Sequence, residues 1–155
     1  MKLEGEKAPQ FSLLNEKGET ISLQDYANDK YVVLYFYPKD STPGCTTQAC
    51  DFRDYHEAFE DLNAVILGVS PDGEKSHQKF IEKHGLPFSL LIDDEHEVAE
   101  KYGVWKLKKM FGREYMGIER STFLINPEGE VVKEWRKVRV KGHIADALET
   151  LKELT

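Results

Sequence analysis

The chain has 155 residues, 40% apolar and 32% charged, which fits one soluble globular domain and excludes a disordered polymer. Its formal charge is -7 with no block of five or more like charges, so neither nucleic acid nor an anionic membrane is an expected partner. The longest apolar run, Tyr31 to Tyr37, is too short to cross a bilayer, and the start MKLEGEKAPQF carries no apolar leader, which predicts a cytoplasmic protein.

In chain order, short β-rich runs alternate with amphipathic stretches. Phe11–Leu14 and Thr20–Leu23 flank a turn at Asn15 to Gly18. Tyr31–Tyr37 is almost wholly apolar or aromatic, as a strand buried on both faces should be, and Ala64–Val69 is a second such run. Phe88–Ile92 follows the same style. Helical patterning covers 43–62, 74–84, 95–102 and 143–154, and Asp93, Asp94 and Glu95 place acids where the third helix begins. Lys106 to Arg120 mixes Lys106, Lys108, Lys109 and Arg113 with Trp105, Met110, Phe111 and Tyr115, and is expected to be a solvated loop with aromatic anchors. Ser121–Ile125 and Val131–Trp135 flank Asn126-Pro127-Glu128-Gly129 and should form a hairpin. The order predicts a single α/β domain over 1–155, with a mixed central sheet flanked by helices in a thioredoxin-like arrangement.

Two cysteines, Cys45 and Cys50, sit five positions apart. A bridge between them would close a tiny loop and staple almost nothing, so the pair points to chemistry. Pro38-Lys39-Asp40-Ser41-Thr42-Pro43-Gly44-Cys45 follows the first buried strand and leads into a helix. Thr42 suits the N-cap and Pro43 the first helical position, where its missing N–H costs little. Cys45 then falls in the first turn, near unpaired amides and the positive end of the helix, a location that favours thiolate. A free thiol with pKa near 8.5 is only about 3% ionised at neutral pH; one brought to about 6 is roughly 90% ionised and about thirtyfold richer in nucleophile. The five histidines are scattered without metal spacing relative to the cysteines, so no zinc site is expected.

Pro38-x-x-x-Thr42-x-x-Cys45 resembles the active-site motif of the peroxiredoxins. The wider stretch YFYPKDSTPGCTTQACDFRD is similar to the bacterioferritin-comigratory, or peroxiredoxin Q, branch, and the likeness runs from Gly5 to Ile125. The resemblance implies that Cys45 attacks a hydroperoxide and becomes a sulfenic acid. It gives Thr42 the task of offering its hydroxyl to peroxide and thiolate, Pro38 that of shielding the sulfur, and Arg120 that of stabilising the thiolate and orienting the peroxide. The backbone N–H groups of Gly44 and Cys45 complete the cradle, so Gly44, Cys45, Thr42 and Arg120 would bind substrate. Gln48 stands where the wider family often has Glu; it can accept a hydrogen bond from Arg120 but supplies no charge, and it stays outside the catalytic group.

The same resemblance makes Cys50 the resolving cysteine, with a one-cysteine mechanism and an external thiol as the alternative. Residues five apart in a helix are about 8.6 Å between Cα atoms, beyond the roughly 7 Å a disulfide tolerates, so resolution by Cys50 requires the first turns to unwind. Thioredoxin or a similar dithiol protein is the implied reductant, the chain is expected to be a monomer, and no metal, haem or flavin is implied. Two other readings stay open. A thioredoxin-type oxidoreductase would want two residues between its cysteines, where this chain has four. A peroxide-sensing switch or holdase-like interaction protein could use the same cysteines, reacting once where an enzyme turns over. Finally, the aromatic-basic stretch 106–120 could form an apolar collar that admits small alkyl hydroperoxides.

Overall fold

The computed structural model describes residues 2–155. In chain order the strands are β1 (Ser12–Leu14), β2 (Thr20–Ser22), β3 (Tyr31–Phe36), β4 (Ala64–Ser70), β5 (Ser89–Ile92), β6 (Trp105–Met110), β7 (Arg113–Ile118), β8 (Ser121–Ile125) and β9 (Val131–Trp135). The helices are α1 (Pro43–Asp61), α2 (Glu74–His84), α3 (Glu97–Lys101) and α4 (His143–Leu154), with a 3-10 turn at Leu23–Tyr26. Five strands form the central sheet in the order β5-β4-β3-β8-β9. β3 and β5 run parallel to β4, and β8 is antiparallel to both β3 and β9. This is the thioredoxin fold expected from the sequence.

β3 lies at the centre because every residue from Val32 to Phe36 is buried, and β-branched and aromatic side chains pack well on both sheet faces. Alternation divides them. Val33 and Tyr35, with Tyr37 beyond the strand, pack against Ala49, Phe52 and Phe59 of α1 and Ile144, Leu148 and Leu151 of α4. Val32, Leu34 and Phe36 face the other way, onto Phe11, Tyr102 and Val104. Tyr35 stacks on Phe52 with ring centroids 4.6 Å apart, tying α1 to the middle of the sheet.

Several boundaries shift for local reasons. α3 begins at Glu97, two residues later than the acidic run suggests. His96 adopts a left-handed backbone (φ 59°), and Asp93 accepts the amides of Val98 and Ala99 at 3.2 and 2.8 Å. The segment expected to be a solvated loop is instead the hairpin β6–β7, paired from Trp105↔Ile118 to Met110↔Arg113. Its two-residue turn has positive φ at both Phe111 (52°) and Gly112 (76°), the geometry of a primed hairpin turn. Such turns usually announce themselves by Asn-Gly or Asp-Gly; phenylalanine at the first position hides this one. The strands also expose Leu107, Met110, Tyr115 and Met116, so no alternation of buried and exposed residues marks them. Among the described residues no helix is long and apolar enough to cross a membrane.

Candidate active site

The strand register decides what meets at the C-terminal end of β3. Antiparallel pairing of Phe36 with Ser121 delivers Arg120, the residue before β8, to the point where β3 gives way to the Tyr37–Thr42 loop. Parallel pairing of Phe36 with Val69 sets the end of β4 alongside. Open α/β sheets commonly bind ligands at this carboxyl edge.

Thr42 is the N-cap of α1 and Pro43 opens the helix, as the sequence suggests. Thr46 N–H bonds back to the Thr42 carbonyl at 2.8 Å. The amides of Gly44 and Cys45 precede it in the first turn, where no carbonyl lies a full turn behind. Cys45 is 1% exposed, its sulfur held beneath that turn.

Arg120 completes the group. Its Nη2 donates to Cys45 Sγ at 3.3 Å and its Nη1 to Gln48 Oε1 at 2.5 Å. Cys45 and Gln48 are three residues apart on one helix face, so a single guanidinium spans both. Gly44 leaves the space this needs, since a Cβ there would lie 3.2 Å from Arg120 Nη2. The Arg120 carbonyl accepts Val138 N–H at 2.9 Å, which fixes its backbone from the other side. Gln48, left out of the acting group on sequence grounds, is the buried anchor of the guanidinium.

The other expected residues are placed differently. Thr42 Oγ1 donates to the Lys39 carbonyl at 2.9 Å, so its proton points along the loop and not to the sulfur; its oxygen lone pairs remain free to accept. Pro38 is half-buried directly after Tyr37. Cys50 lies on α1, half-buried, and both thiols are free. Among the described residues no group of three or more His, Cys, Asp or Glu is arranged to hold a metal ion.

Three neighbours make contacts that the sequence reading did not assign. Tyr35 Oη is buried without a hydrogen-bond partner. Burial raises its pKa well above the phenol value, with Cys45 and Asp40 adding to the effect. Lys108 reaches the site from β6, and burial together with the Arg120 charge lowers its ammonium pKa. Asp40 is tied to His77, 37 residues away, at 2.6 Å. No sequence signal marks these, because each depends on a contact between distant segments.

The family model described as AhpC/TSA family matches residues 5–134. The chain is 66% identical over 151 residues to peroxiredoxin Bcp of Bacillus subtilis, covering 97% of this chain and 96% of that one. The chain belongs to the AhpC/TSA family. Within this family it is a peroxiredoxin of the Bcp, or peroxiredoxin Q, branch. Peroxiredoxin Q of Xanthomonas campestris superposes with a TM-score of 0.88 at 45% identity, covering 92% of this chain and 90% of that chain. Peroxidoxin BcpB of Mycobacterium tuberculosis gives 0.89 at 31% identity, covering 100% and 99%. Peroxiredoxins are thiol peroxidases, an oxidoreductase class with a redox-active site that the cysteines of this chain fit.

Proposed function

We propose that the chain reduces hydroperoxides with Cys45 as nucleophile, is resolved by Cys50, and is returned to the dithiol by a thioredoxin-like reductant. The observation that carries this reading is the Arg120 guanidinium 3.3 Å from a buried cysteine sulfur in the first turn of α1. The thiolate attacks one peroxide oxygen, the O–O bond breaks, and with one proton the products are a sulfenic acid and water or an alcohol. Negative charge builds on the departing oxygen, where Arg120 and the amides of Gly44 and Cys45 act as fixed donors. Thr42 accepts a hydrogen bond from the peroxide, and Pro38 limits water at the sulfur.

Resolution follows when the Cys50 thiolate displaces hydroxide from the Cys45 sulfenic acid, forming the disulfide and, after protonation, water. Because both cysteines lie within continuous α1, the first turns must unwind to bring them together. Gly44 lowers the helix propensity of that turn, by about 1 kcal/mol relative to Ala. A dithiol then attacks the disulfide by ordinary exchange and leaves oxidised. The resolving thiol is in the same chain, which supports a monomer as the working unit.

The β6–β7 hairpin supports acceptance of alkyl hydroperoxides. Lys108 stands near Arg120, and Leu107, Met110, Phe111 and Met116 are exposed along the same hairpin, so an apolar substituent finds contacts at the rim. Alkyl peroxide reduction is the activity named for the bacterioferritin comigratory protein of Xanthomonas campestris, which shares 45% sequence identity with this chain.

Intact mass of the reduced protein after one equivalent of hydrogen peroxide tests the scheme. A loss of about 2 Da within seconds is expected. A gain of about 16 or 32 Da keeps Cys45 as the reacting thiol and removes Cys50 from resolution. No change over minutes overturns the peroxidase assignment.

A further inference from the structure

Asp40 lies two residues before the N-cap of the helix that carries Cys45, yet it is 5% exposed. Four contacts hold it. Its Oδ1 accepts Tyr37 Oη at 2.5 Å, and its Oδ2 accepts Ser76 Oγ at 2.8 Å and His77 Nδ1 at 2.6 Å. Its own amide donates to Asp72 Oδ2 at 2.6 Å. His77, fully buried on α2, reaches the Leu91 carbonyl of β5 through Nε2 at 2.9 Å. One residue of the pre-cysteine loop is thus gripped through its amide by the β4–α2 connection, and through its carboxylate by α2 and, via the imidazole, by β5.

Both ring nitrogens of His77 face oxygen acceptors, so the ring is tied at both ends, to Asp40 and to the Leu91 carbonyl, inside the core. Burying a polar pair is costly, and an apolar pair of similar volume usually stabilises a fold at least as well. Stability alone therefore does not account for this arrangement, and its position suggests another task. The residue after Asp40, Ser41, is held at φ 63°, a left-handed conformation that a serine leaves when released. Tyr37, which clamps the opposite oxygen of Asp40, stacks on Tyr35, and Tyr35 stacks on Phe52 of α1. The grip is thus applied on the N-terminal side of the turn that must unwind for Cys45 to reach Cys50.

We propose that Asp40 and His77, with Tyr37, form a latch that holds the pre-cysteine loop and biases the first turn of α1 toward its folded, peroxide-reactive form. These are positioning residues. The hydrogen bond to Cys45 comes from Arg120 and not from them, and they set how readily the site gives way to the form in which the disulfide closes. The inference rests on the peroxidase reading for its kinetic consequences, but not for its structural one.

Amide hydrogen exchange of the reduced full-length protein tests the structural part. In His77→Ala, the amides of residues 46–50 should exchange at least tenfold faster while those of β4 and β8 keep their wild-type rates. Stopped-flow oxidation tests the rest. Reaction of Cys45 with hydrogen peroxide should slow at least tenfold, disulfide formation from the sulfenic acid should quicken threefold or more, and the fraction gaining 32 Da in excess peroxide should fall. Tyr37→Phe removes one hydrogen bond from the same carboxylate and should move every readout in the same direction by three- to tenfold, even where His77→Ala fails to fold. Wild-type exchange at 46–50 in a folded variant, or loss of exchange protection spread evenly over the sheet, overturns the latch. If the wild-type protein shows no mass change with peroxide, the peroxidase reading fails separately, and hydrogen exchange still decides the latch.

Discussion

Arg120 Nη2 approaches Cys45 Sγ to 3.3 Å across 75 residues of chain, so the charge that faces the thiol arrives from the neighbouring strand β8, remote in sequence. Gln48 holds the other arm of the same guanidinium at 2.5 Å. The donor is therefore oriented before any peroxide enters, which is where fixed dipoles gain most over water.

Arg120→Met should remove that donor with little change in volume. Peroxide-driven oxidation of Cys45 is expected to slow by about a hundredfold, the usual effect of losing one such donor. Alkylation of Cys45 at neutral pH should slow as well. Normal rates in both assays would remove Arg120 from the site.

Gly44→Ala acts on the same contact from the other side. Its Cβ would sit 3.2 Å from Arg120 Nη2, so the guanidinium must give by a few tenths of an ångström and lengthen its contact with the sulfur. It would also strengthen the first turn, by about 1 kcal/mol. Stopped-flow traces should show oxidation of Cys45 several-fold slower and disulfide closure slower too; a wild-type trace in both phases would contradict the packing described.

In the core, a Cβ on Gly68 would come within 2.8 Å of Tyr35 Cζ and 2.7 Å of Leu90 Cδ2. Gly68→Ala should destabilise the fold by about 1–3 kcal/mol through overpacking. Tyr35→Phe deletes a buried hydroxyl that has no partner and should gain about 1 kcal/mol. Thermal or urea unfolding of the two variants and their combination checks both, and the combination should recover part of the Gly68→Ala loss, because the Tyr35 oxygen is one of the atoms in the way.

His143 provides a pH signature. Burial lowers its pKa from 6.5 to about 4, with Arg120 adding to that and Asp146 opposing it. Its Nε2 contacts Thr122 Oγ1 at 2.8 Å. The folded protein thus holds the ring neutral while the unfolded chain protonates first, so stability present above pH 6.5 is lost as pH falls to about 4. The loss attributable to this one group is about 3 kcal/mol. Urea denaturation of His143→Gln between pH 7 and 4 should show a correspondingly shallower decline than the parent; parallel curves would exclude His143 as the source.

Much of this molecule was legible one segment at a time. Tyr31–Phe36, Ala64–Ser70 and Ser121–Ile125 are apolar enough to be buried strands in any context, and Asn126 to Gly129 makes a turn from local chemistry alone. Thr42-Pro43 starts a helix because an extended N-cap backbone and the fixed φ of proline operate over a few residues, even though the Thr42 hydroxyl makes no cap bond. The position of Cys45 in that first turn follows directly. The hairpin at Trp105–Ile118 was not legible, since its strands bury no consistent face and its turn lacks the usual Asn-Gly.

What the sequence determined by itself was therefore the alternation of strands and helices and the motif that sets Cys45 at a helix start, both products of short-range sterics and hydrogen bonding. The tertiary structure decided the rest. Strand register carried Arg120 to Cys45, packing closed the Asp40–His77 pair, and helix burial left Gln48 as the guanidinium's anchor. Those contacts join segments tens of residues apart, and only the pairing of strands in one sheet fixes which of the many charged side chains come within reach.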